Sequence, residues 1–95
     1  MSAEPTLAPR LRDELLHEVW RQDAKHGPTF NAASELGQVR LGVACLEDEV
    51  NETRDAWRED LRSGDWSHTR EEALQVAALA LRLVRQIDSF QEQSR

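Results

Sequence analysis

From Ala73 to Val84 the chain reads Ala-Leu-Gln-Val-Ala-Ala-Leu-Ala-Leu-Arg-Leu-Val, and only Gln75 and Arg82 are polar. A helix with this sequence is apolar around most of its circumference, so nearly every side of it needs cover. The run is too short for a membrane span, which takes roughly 18–20 residues. It is therefore a core helix. Two partner helices from one short chain cover it poorly, whereas a second copy of the chain would complete a four-helix-type core; the alternative is a monomeric three-helix bundle with one exposed apolar strip.

The chain of 95 residues is one domain at most. A domain of that size removes only about 60–65% of its unfolded surface from water, which makes self-association a natural remedy for a thin core. The net charge of −6 argues against non-specific binding to nucleic acid or to an anionic membrane. A polyphosphate ligand would need a metal to offset that charge. The single cysteine, Cys45, excludes an intrachain disulfide and fits a reducing compartment. The first residues, Met1 to Pro9, carry no apolar segment of signal-peptide type. The expectation is a cytoplasmic protein.

In chain order, residues 1–8 read as a loose polar tail, and 9–95 as a single helical domain. A first helix starts at Pro9, with Leu11, Leu15, Leu16, Val19 and Trp20 as its apolar stripe. Gly27-Pro28 ends it, leaving Lys25 to Asn31 as a loop that carries Phe30. A second helix begins between Asn31 and Ser34 and stops at Gly64. Its apolar stripe is Val39, Val43, Leu46, Val50, Trp57 and Leu61. Thr69 to Glu72 has the form of a capping box, and a third helix follows through Phe90. No segment alternates with period two, so the fold class is all-α, with three main helices per chain and a four-helix-type core completed by dimerisation.

The acidic residues are less uniform than they look. Glu47, Asp55, Glu59 and Asp60 fit a solvated helix surface. Glu49 and Glu52, three apart, share a stripe with Gly42, Cys45 and Ala56. Small residues above and below two carboxylates imply close packing there, and a buried carboxylate needs a cation or an arginine. Glu72 lies within the apolar arc of the third helix, where it either closes the capping box with Thr69 or faces the same cation. Gln75, one turn on, offers an amide oxygen. Convergent oxygens of this kind select a hard divalent ion such as Mg²⁺.

Three stretches carry a resemblance. Leu46-Glu47-Asp48-Glu49-Val50-Asn51-Glu52 resembles the Leu-x-Glu-Glu-Val-Gly-Glu motif of the MazG-like, all-α nucleoside triphosphate pyrophosphohydrolases. Arg70 to Leu81 is similar to the second motif of that family and its buried helix. Gln22-Asp23-Ala24-Lys25-His26-Gly27 is similar to a Gln-Asp-x-Lys-Trp-Gly stretch of its small members. The likeness spans roughly Trp20 to Val84. It implies an enzyme that splits a nucleoside triphosphate into monophosphate and pyrophosphate with Mg²⁺ (or Mn²⁺), as a dimer or tetramer. It also implies that Glu49, Glu52, Glu72 and Gln75 are the metal ligands, with Asp48 orienting or deprotonating the attacking water. The family has Asp where this chain has Gln75, Gly where it has Asn51 and Trp where it has His26.

Other residues have two readings each. Lys25, the only lysine, either meets a phosphate or stands solvated in its loop. Trp66 either stacks on a base or plugs the end of the bundle. Trp20 and Trp57 continue apolar stripes and read as core. Cys45 reads as a small packing residue. Arg54, Arg58, Arg82 and Arg85 read as partners of neighbouring acids, with one of them free to reach a phosphate. The histidines have no zinc-like spacing. Two functions follow: the Mg²⁺-dependent hydrolase, or a non-catalytic helical module on the same scaffold that binds nucleotides or a partner.

Overall fold

The computed structural model describes residues 7–93, and all of its regular structure is helical: α1 (Pro9–His26), α2 (Glu35–Ser63) and α3 (Ser67–Gln93). Most of the expected N-terminal tail lies outside the described residues. Pro9 opens α1 at its first turn, where a missing N–H costs no hydrogen bond. The helix runs on to His26, so Lys25 belongs to its last turn rather than to a loop. Ser34 caps α2 by accepting from the Gly37 N–H at 3.0 Å. Gly64 ends α2 at φ +74°, a left-handed conformation that a residue with a Cβ rarely adopts.

The start of α3 differs from the sequence expectation. The Asp65 carboxylate accepts from the Ser67 N–H and hydroxyl, and the helix begins at Ser67. Thr69 therefore lies inside the helix, and its N–H and hydroxyl both donate to Asp60 Oδ2 at 2.8 Å. The Thr69–Glu72 capping box is not formed, which leaves Glu72 without a capping role. Asp60, expected on the surface, is only 6% exposed because it holds this corner.

The apolar helix α3 is central. Both α1 and α2 pack on it, while the backbones of α1 and α2 stay apart, and the chain spreads into a layer of 48 × 38 × 25 Å. Phe30, Leu79 and Leu83 form the buried core, with Cys45, Leu46 and Ile87 half-buried around it. Gly42 sets how closely α2 approaches α3. A Cβ built there would stand 2.7 Å from Leu83 Cδ1 and 3.3 Å from the Phe30 ring.

That close approach decides which face of α2 turns inward. The stripe of Gly42, Cys45, Glu49 and Ala56 is turned in, and of the longer apolar stripe only Val39 and Leu46 are half-buried. Val43, Val50, Trp57 and Leu61 are all more than 40% exposed. Trp20 is exposed as well, because the inner stripe of α1 is Leu11, Leu15, Glu18, Val19 and Gln22. Trp20 and Trp57 are thus surface residues of the single chain. No helix among the described residues is long and apolar enough to cross a membrane.

The seam between α1 and α3 is polar and fully bonded. Arg82, 2% exposed, donates to Asp23, Gln22 and the Gly27 carbonyl, and its guanidinium lies 5.2 Å from the centre of the Phe30 ring. Arg85 forks onto the Asp23 carboxylate. These partners are 55 to 62 positions away in the chain, not the neighbouring acids expected. Gln86 mimics a strand partner for the loop: its amide accepts from the Phe30 N–H and donates to the Phe30 carbonyl.

Candidate metal centre

The gap between α1 and α2, closed below by α3, is a cleft of about 630 Å³. Arg21, Gln22, Lys25 and His26 line it from α1, and Cys45, Asp48, Glu49 and Glu52 from α2. Gln75, Leu79 and Arg82 line it from α3. At its acidic end the lining residues Glu49 and Glu52 meet Glu72, which stands behind the lining, and one carboxylate oxygen of each lies within 4.8 Å of the others. Helix periodicity accounts for the first pair, and the α2–α3 contact brings up the third.

The environment of these oxygens is unusual for a helical surface. Glu49 Oε2 and Glu72 Oε2 are both buried, and neither has a hydrogen-bond partner among the described residues. Nearly all buried polar atoms in folded proteins are paired, and an unpaired one costs roughly 1–3 kcal/mol. Burial, and then the charge and hydrogen bonding of Glu52, push the Glu49 carboxyl up to about 7, with Glu72 and Glu18 adding to the rise. Like charges in a partly dry site resist joint ionisation. The other Glu72 oxygen lies 3.5 Å from His68 Nε2, and His68 Nδ1 lies 3.3 Å from Glu59.

The donor set fits a hard divalent cation. Its atoms are all carboxylate oxygen, and two of the three carboxylates carry a buried oxygen with no hydrogen bond among the described residues. An ion with ~2.1 Å bonds spans oxygens up to ~4.2 Å apart, so 4.8 Å needs only a small contraction. Gln75 lines the same cleft, one turn after Glu72 on α3, and its carbonyl accepts from Gln22 Nε2 at 3.1 Å. Asp48 and Lys25 also line the cleft, and Lys25 makes no ion pair among the described residues. Trp66 is not among the lining residues. It is half-exposed in the α2–α3 connection.

Of α1, sequence reasoning singled out Lys25 as a binding candidate and gave Glu18, Arg21 and Gln22 no role in the site. Glu18 and Gln22 are buried, and Arg21 lines the cleft between them. The signal was present: Leu11, Leu15, Glu18 and Gln22 follow one helical stripe, so two polar residues continue an apolar face. Comparison with protein-family models, with curated proteins and with solved structures gives no match for this chain.

Proposed function

We propose that this protein is a Mg²⁺-dependent nucleoside triphosphate pyrophosphohydrolase of the MazG-like type, releasing a nucleoside monophosphate and pyrophosphate. The observation that carries the reading is the pair of buried, partnerless oxygens on Glu49 and Glu72 within a cluster of three carboxylates. Glu49, Glu52 and Glu72 would hold the ion, with the Gln75 amide oxygen as a weaker fourth donor. Such an ion, when bound, neutralises phosphate oxygens and activates water.

The protein's own groups have separate tasks. Asp48 precedes Glu49 and lines the cleft, where it serves to orient a water or take its proton. Lys25, with no acidic partner among the described residues, offers its charge to a phosphate. The exposed apolar residues of α2, together with Leu81 and Val84 on α3, support assembly as a dimer or tetramer that covers them.

The test is a panel of nucleoside triphosphates scored for pyrophosphate with Mg²⁺ or Mn²⁺. Turnover is expected on some member, with Glu49→Ala and Glu52→Ala abolishing it while helicity is retained. One observation favours a second reading, a non-catalytic nucleotide- or partner-binding module. Gln75 supplies no charge where the family has a carboxylate, and the remaining site already favours a proton on Glu49. No turnover on any nucleotide would decide for that module.

A further inference from the structure

The α1 wall of the cleft holds a cation whose setting differs from that of a surface arginine. Arg21 Nε donates to Glu18 Oε1 and Arg21 Nη2 to Glu18 Oε2, both at 2.7 Å. A guanidinium has five N–H donors, and this fork uses two. The other three have no acceptor among the described residues, although Arg21 lines the cleft and its side chain is 47% exposed.

Glu18 explains why the guanidinium is held there. It is 8% exposed, and its Oε2 also accepts from Gln22 Nε2 at 3.0 Å. The same Gln22 nitrogen donates to the Gln75 carbonyl. A series of bonds thus runs from Arg21 through Glu18 and Gln22 to the turn of α3 that carries Gln75. A solvated i, i+3 pair would need none of this. Burying a carboxylate costs desolvation, and what results is a cation fixed in orientation relative to the acidic cluster.

We propose that Arg21 anchors the phosphate chain of a metal-bound polyphosphate in this cleft, with Glu18 as its positioning residue. The inference rests on the nucleotide-hydrolase reading of the same site. Arg21 and Lys25 stand one turn apart on α1, a cationic rail about 6 Å long. The carboxylates of α2 and α3 form the opposite pole. A ligand that carries a cation and several anionic groups together satisfies both poles, and a polyphosphate with its divalent ion is such a ligand. Orthophosphate engages only part of the rail.

Calorimetry with inorganic tripolyphosphate in the presence of Mg²⁺, on the full chain, tests this directly. Arg21→Met is expected to weaken that binding by about tenfold, the factor of one charge-assisted hydrogen bond. KM for a nucleoside triphosphate should rise by a similar factor, with kcat changed much less. Glu18→Gln leaves the Arg21 charge and removes its fork, so a smaller loss of about threefold is expected from orientation alone. The double variant Glu18→Gln/Arg21→Met leaves no buried charge unpaired, and keeps the test open should Arg21→Met fold poorly.

Unchanged tripolyphosphate affinity in Arg21→Met, or in the folded double variant, overturns the anchor. If Glu49→Ala still abolishes turnover in that case, the hydrolase reading survives without it. Tripolyphosphate binding that depends on Arg21 in a protein that turns over no nucleotide keeps the anchor and removes the hydrolase. A parent protein that binds no tripolyphosphate overturns the anchor as well.

Discussion

The two seams along α3 treat charge in opposite ways. On the α1 side Glu18, Gln22, Asp23 and Arg82 are joined by hydrogen bonds, most of them between residues far apart in the chain. On the α2 side two carboxylate oxygens are buried with nothing to bond to, although His68 and Thr69 show that partners exist nearby. A protein able to satisfy a buried arginine through three separate acceptors has not run out of ways to pair a glutamate. On the proposed reading of the site, the first seam is built to hold and the second to receive. Unpaired polar groups persist in folded proteins where a ligand completes them.

The sharpest way to break this contrast is to unmake the seam that holds. Arg82→Ala strips donors from Gln22 and the Gly27 carbonyl, leaves Asp23 to Arg85 alone, and opens space beside Phe30. Breaking a buried charge network of this kind is expected to cost about 3 kcal/mol or more in urea unfolding. A loss under about 1 kcal/mol, the size of an exposed pair, would mean that the polar seam is ornamental to stability.

How far the chain could be read beforehand follows the same division. Helix ends were legible because Pro9, Ser34 and Gly64 act locally. Glu49, Glu52 and Glu72 were legible as a group because helical spacing puts two on one stripe, and the apolar arc of α3 faces α2. The close packing of the Gly42 and Ala56 stripe of α2 was legible from its small residues, but Val43, Val50 and Trp57, which hydrophobicity turns inward, lie exposed. Interaxial distance is not written in a hydropathy pattern. Nor is the partner of Arg82, chosen by a fold that brings positions 23 and 82 together. The capping box at Thr69 failed because Asp65 receives the Ser67 N–H and starts the helix two residues earlier, while Asp60 takes the Thr69 N–H and hydroxyl.

The seam that receives should behave in reverse. Glu49 has its folded-state pKa raised from 4.5 to about 7, so the folded protein holds this proton more tightly than the unfolded chain. Its contribution to stability is therefore best below about pH 4.5 and is lost as pH rises through about 7. Glu49→Gln removes that loss. The variant is expected to be more stable than the parent above the transition, by on the order of 1 kcal/mol, and indistinguishable from it in acid. Divalent metal should invert the order. At a hundred times its Kd, Mg²⁺ adds about 2.7 kcal/mol to a protein that binds it only when folded. The parent should gain this at alkaline pH, less in acid where the proton competes, and Glu49→Gln should gain little. Thermal melts on both sides of the transition, with and without MgCl₂, read all of this. A parent whose stability rises between pH 5 and 8 without metal would contradict the strained-site view.

The smallest effect separates the two functional readings. Gln75 lines the cleft with Glu49 and Glu52, and its backbone carbonyl is already taken by Gln22, so only its side chain is free to face an ion. Gln75→Asp adds a fourth carboxylate to the receiving seam and leaves the holding seam untouched. Without metal the added repulsion should lower stability above neutral pH by a few tenths of a kcal/mol, up to about 1. With metal the same charge should tighten Mg²⁺ binding by about tenfold, read by calorimetry. If the parent already releases pyrophosphate and the variant merely binds its ion more tightly, Gln75 is a working ligand of reduced charge. If turnover appears only in the variant, the parent is the binding module, and the missing carboxylate is what silenced it. A variant that loses stability and gains no metal affinity would place the side chain away from the ion, leaving three glutamates to hold it alone.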